Sequence, residues 1–129
     1  MKKTILAFIA IMFMSLAEAQ TYKFPQGNST AVSIAVSGTT AVTLINNMSH
    51  VASIPTLTGN INFSVTASSQ LKAGSALLIT VKTTSTETTT FSGDIVAPVV
   101  TGVAGKTWSQ GFIYNGTKFY PLGAKIQVD

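Results

Sequence analysis

The chain has 129 residues, no cysteine, and a formal net charge of +4, with every one of its eight basic residues a lysine. That length suits one packed domain, and the lack of cysteine excludes disulfide staples, thiolate metal sites and lipid attachment at a cysteine. Without arginine's planar fork, and with the lysines scattered rather than gathered in a stripe, the basic charge does not point to nucleic acid.

Met1-Lys2-Lys3, the apolar run from Ile5 to Met14 and the small-x-small Ala17-Glu18-Ala19 read as a cleavable secretory signal over residues 1–19. The run is shorter than the about 20 apolar residues that cross a bilayer, so no membrane span is expected after cleavage. The expected location is the periplasm, the cell surface or the medium of a bacterium. Residues 20–30, with Pro25-Gln26-Gly27-Asn28, read as a flexible arm, and 31–129 as the folded domain.

Alternation of Val32, Ile34 and Val36 with Ser33 and Ala35 predicts a first strand, ending at Ser37-Gly38. A second runs from Thr40 to Ile45, and Val51 to Ile54 forms a short edge piece before Pro55. The centre of the domain is Gly59 to Lys82. There Ile61, Phe63 and Val65 alternate with polar residues, Leu77, Ile79 and Val81 repeat the pattern, and these six form the expected core. Residues 68–74 between them are too many for a two-residue turn, so they form either a wide loop or an arch from one sheet to another.

The threonine-rich segment after Val81 predicts a turn near Thr84 to Thr86 and a strand from Glu87 to Phe91. Pro98 makes Ile95 to Val100 an edge or a bulged crossing. Trp108 to Tyr114 is the next strand, and Asn115-Gly116 signals a two-residue type I′ hairpin. That turn would place Tyr114 opposite Thr117 and Phe112 opposite Phe119. Trp108, Phe112, Tyr114 and Phe119 then share one face, and Ile113, Lys118 and Tyr120 the other. Lys125 to Val128 adds a last strand. About eight short strands, frequent turns and no helical period predict an all-β fold, an antiparallel β-sandwich of jelly-roll type. No internal sequence repeat is visible, which argues against a solenoid.

The order Leu57-Thr58-Gly59-Asn60-Ile61-Asn62-Phe63, Leu71-Lys72-Ala73-Gly74-Ser75, Thr89-Thr90-Phe91-Ser92-Gly93 and Phe112-Ile113-Tyr114-Asn115-Gly116-Thr117-Lys118-Phe119-Tyr120 resembles the small β-sandwich domains of bacteriophage tail fibres and other virion appendages. The likeness runs from about Ala31 to Gly123. It implies a displayed structural or adhesive module, homo-oligomeric as a trimer or polymer, and not a catalyst. The signal peptide departs from that pattern, because virion proteins assemble in the cytoplasm. A bacterial chain carrying the module outside the inner membrane fits both features.

Catalytic chemistry is poorly supplied. Beyond the signal the chain holds one histidine, His50, and the acids Glu87, Asp94 and Asp129, with no nucleophile-elbow motif. Glu87 and Asp94 would lie on opposite faces of an unbroken strand, so they read as solvated acids and not as a glycosidase pair. No catalytic residue, metal site or cofactor is assigned. For a ligand, Tyr120, Trp108 and Tyr114 are the aromatic candidates, since exposed rings stack on sugars and a surface glycan would be the partner. Trp108 and Tyr114 share their parity with core residues, whereas Tyr120 stands beside Lys118. Thr84, Thr86, Thr88 and Thr90 would form one row on a strand face, which binds ordered water or ice only when several such rows stack. Asn28, Asn47, Asn62 and Asn115 match the glycosylation pattern that so threonine-rich a chain produces by chance. The segment through Val36, a flexible start followed by an alternating strand, has the form needed to complete a neighbour's sheet.

Overall fold

A computed structural model describes residues 29–45, 48–51 and 54–128, the side chains of 29, 30, 48, 50 and 51 excepted. The signal peptide, residues 20–28 of the arm, Asn28, Asn47 and Asp129 lie outside the described residues. Among the described residues there is no helix, and the chain forms eleven short strands: β1 (Ser29–Val32), β2 (Gly38–Leu44), β3 (Met48–Val51), β4 (Thr56–Leu57), β5 (Ile61–Ala67), β6 (Ala76–Thr83), β7 (Thr88–Gly93), β8 (Val100–Thr101), β9 (Thr107–Tyr114), β10 (Phe119–Pro121) and β11 (Ile126–Val128).

They build two sheets. One has the order β1-β3-β6-β9-β10, with β4 also beside β6 and β11 also beside β9. The other has the order β2-β5-β7-β8. Both sheets are mixed, where a purely antiparallel arrangement was expected. The pairs β1/β3, β3/β6, β4/β6, β2/β5 and β5/β7 are parallel, and β6/β9, β9/β10, β9/β11 and β7/β8 are antiparallel.

The physical reason is that the chain changes sheet at its turns. From β1 it crosses to β2, returns to β3 and β4, crosses to β5, returns to β6 and crosses again to β7, so each strand lies parallel to its counterpart one circuit earlier. Parallel neighbours need such crossovers. The circuits stack in register, Gly38 beside Ile61 beside Thr89 and Thr40 beside Phe63 beside Phe91, although the sequence shows no repeat. An antiparallel cap, β8 in one sheet and β9 with β10 and β11 in the other, ends the winding.

Residues 68–75 are therefore an arch and not a hairpin loop. The Leu71 amide donates to the Ser68 carbonyl, and both the amide and the hydroxyl of Ser75 donate to the Lys72 carbonyl. Gly74 takes φ +92°, open to glycine at little cost, and Leu71 turns into the core. The earlier crossing from β1 to β2 likewise buries Ile34, while the Ala35 amide donates to Thr40 Oγ1.

Strict alternation places the inner residues. β5 buries Ile61, Phe63 and Val65, and β6 buries Leu77, Ile79 and Val81, all six almost completely. They join Leu44, Leu57, Val100, Trp108, Phe112, Tyr114 and Phe119 in one hydrophobic cluster drawn from both sheets. Each such side chain contributes about 1.5–3 kcal/mol by leaving water.

The β9–β10 hairpin differs from the sequence expectation. Phe119 pairs with Tyr114, Tyr120 with Ile113 and Pro121 with Phe112, two residues away from the register a two-residue turn imposes. Asn115 Oδ1 accepts from the amides of both Thr117 and Lys118, and the Asn115 amide donates to the Lys118 carbonyl, so residues 115–118 form the loop. Among the described residues only glycines have positive φ, Gly116 at +100° included, so the type I′ pair of positive φ angles does not form. A slip of two keeps every side chain on its face, and the rings of Tyr114 and Phe119 meet at 5.0 Å.

Candidate functional site

The three aromatic candidates separate. Trp108 and Tyr114 lie on the inner face of β9, 1% and 7% exposed, so their rings present no platform to solvent. Tyr120, on the outer face of β10, is 42% exposed, beside Ile113 on the neighbouring strand. The structure does not bring the three together on one surface.

The acids serve the backbone. Glu87, read from sequence as a solvated acid, is buried at the turn between β6 and β7. Its carboxylate accepts from the Thr84 hydroxyl and from the Ser85 amide at 2.8 Å. The Thr84 hydrogen bond leads in holding the Glu87 pKa below the usual carboxylate value, with the Ser85 amide adding to it and desolvation opposing it. Asp94 Oδ2 accepts from the Ala67 amide, the Asp94 amide donates to Val65 and its carbonyl accepts from Phe119, so this residue ties the ends of β5 and β7 to β10. His50 lies in β3, and its side chain is outside the described set. Among the described residues no three of His, Cys, Asp or Glu gather where they could hold a metal ion, and no helix is long and apolar enough to cross a membrane.

The threonine row is not one row. Thr84 and Thr86 belong to the turn, and only Thr88 and Thr90 stand on β7. The stacked circuits instead align short side chains across strands on the outer face of the four-stranded sheet: Thr39, Asn62 and Thr90 are neighbours, as are Ala41, Ser64 and Ser92. Asn62 donates to Ser92 Oγ and accepts from Thr90 Oγ1.

Two further features were not read from the sequence. The first is a cavity of about 240 Å³ at the capped end, between Phe91 on β7, the 97–100 segment, Gln110 and Phe112 on β9, and the β10–β11 connection. The rings of Phe91 and Phe112 stand 5.5 Å apart. Gln110 is the one polar residue among the inward positions of β9, in the series Trp108, Gln110, Phe112, Tyr114, and is 6% exposed. That interruption of an otherwise apolar alternation was the available signal.

The second feature is the opposite end. Among the described residues nothing pairs with the outer edge of β1 or of β2, the first strands of the two sheets. The Gly38 amide points at β5, to the Asn60 carbonyl, and the Ser68 amide donates back to Leu44. In a parallel ladder alternate residues turn the same way, so the amides and carbonyls of Thr39, Ala41 and Thr43 point outward from the stack.

Comparison with the models of known protein families, with characterised proteins and with solved structures returns no match for this chain.

Proposed function

We propose that the protein is an exported, non-enzymatic β-sandwich that works as a displayed structural module, similar to phage appendage domains, and assembles with copies of itself. The observation that carries this reading is the asymmetry of the stack: an antiparallel cap at one end, and at the other the edges of β1 and β2, which have no partner among the described residues. Stacked β architectures need capped ends to stay apart, and an uncapped edge is a template for a further strand. The β2 edge, Gly38–Leu44, is seven residues long with no charge, proline or bulge to blunt it. The acids support the non-enzymatic part, since Glu87 and Asp94 are both engaged by backbone amides. Among the described residues Tyr120 is the one exposed tyrosine, and it offers less for a glycan than the unpaired edges offer for a second copy.

The test is light scattering of the chain from Gln20 onward across a concentration series, beside Ala41→Pro. Proline at Ala41 removes an outward-pointing amide and leaves the β2–β5 ladder its bonds. A mass that grows with concentration for the parent and stays monomeric for Ala41→Pro supports the reading. A monomer at every concentration for both contradicts it.

A further inference from the structure

We infer that the cavity at the capped end is a binding site for a small molecule with a single aromatic ring and one hydroxyl or N–H donor, of phenol or indole type. This site is independent of the open edges and of self-assembly. Its walls are mostly apolar, Phe91, Phe112, Val100 and Pro121 among them, with Gln110 and Lys125 as the polar side chains of the lining. A cavity of about 150 Å³ lined by apolar groups already takes a benzene ring. The 240 Å³ here holds a ring with one or two substituents and little more, and two phenyl walls suit a ring in tilted or edge contact.

The donor requirement comes from Gln110. Its side chain is held in place because Nε2 donates to the carbonyls of Gly111 at 3.0 Å and Gly123 at 3.2 Å. Its Oε1 accepts nothing from the described residues. Among the described residues the fully enclosed side-chain atoms without a partner are Ser49 Oγ, Thr89 Oγ1 and Trp108 Nε1, and Gln110 Oε1 is not one of them. It is therefore not sealed off, and Gln110 is among the residues that line the cavity. A fixed, unpartnered amide oxygen in an apolar pocket is an acceptor that a ligand O–H or N–H would satisfy, and a ligand lacking that donor would leave it desolvated and unpaired. Lys125 holds the mouth in shape: its ammonium donates to the Thr101 carbonyl at 2.8 Å, tying the β10–β11 connection to β8.

The test is a titration of the isotope-labelled chain with p-cresol and, separately, with toluene, which has the same ring and no donor, followed by nuclear magnetic resonance. The expected result is saturable shifts centred on Val100, Gln110 and Phe112, with p-cresol bound about tenfold or more tightly than toluene. Gln110→Met, which keeps the wall and removes the acceptor, should bring the two ligands to equal affinity. Ala97→Phe, which fills the cavity, should abolish both while the chain stays folded by its thermal transition. No saturable shift at these residues in the parent chain overturns the inference, as do shifts centred on another surface. Equal affinity for p-cresol and toluene in the parent chain overturns the role of Gln110 and with it the ligand class, and this comparison needs no variant to fold.

Discussion

Gly93 lies so close to Val65 on the adjacent parallel strand that a Cβ added to it would stand 2.2 Å from the Val65 carbonyl oxygen. Its φ of +79° is also one that side chains resist. At this residue the β5/β7 ladder ends, and Asp94 then turns its amide back to Val65. Gly93→Ala should cost about 2 kcal/mol or more, strain and steric contact together, and urea unfolding should show the midpoint falling accordingly. A change within about 0.5 kcal/mol would mean that this close approach is absent.

Glu87 predicts a dependence on pH. Its folded pKa lies below the ordinary 4.5, because the Thr84 hydroxyl and the Ser85 amide favour the charged form. Ionisation therefore stabilises the fold above the unfolded pKa, and the contribution disappears as pH falls through the folded one. Glu87→Gln should melt below the parent protein at neutral pH, with the gap between the two curves closing as pH falls below 4.5. A gap that stays constant on acidification would show that the carboxylate charge is not what holds the turn.

Trp108 and Tyr120 sit on adjoining strands and should behave oppositely. Trp108→Ala empties a fully buried site and should cost about 3–5 kcal/mol, whereas Tyr120→Ala should stay within about 0.5 kcal/mol. Acrylamide should quench the single tryptophan poorly in the folded chain. Efficient quenching would place that ring at the surface.

The hairpin loop rests on Asn115, whose side-chain oxygen takes two amides. Asn115→Ala should cost about 1 kcal/mol, and nuclear Overhauser contacts should join the rings of Tyr114 and Phe119 in the parent. Contacts from Phe119 to Phe112 without any to Tyr114 would restore the two-residue turn.

Much of this architecture was legible where side chains alternate. Ile61, Phe63, Val65, Leu77, Ile79 and Val81 announce a strand with one dry face whichever strand lies beside it, and the structure buries all six. Pairing partners were not legible, because a Ser/Gly connection marks where the chain turns and not whether it turns within a sheet or across to another. Leu71, buried in the middle of the 68–75 segment, was the clue to an arch. The hairpin register was missed because Asn115 acts through its side chain and not through a positive φ. Gln110 shares the parity of Trp108 and Phe112, so the alternation of β9 alone turns it inward.

The open edge of β2 can be watched directly, by amide hydrogen exchange resolved to single residues at low and at high protein concentration. The inward amides of Thr40 and Val42 should be protected at both. Those of Thr39, Ala41 and Thr43 should exchange fast in the dilute monomer and gain protection as the mass grows. Protection of all five amides in the dilute monomer, or fast exchange of the outward three in the assembled state, would contradict assembly through this edge.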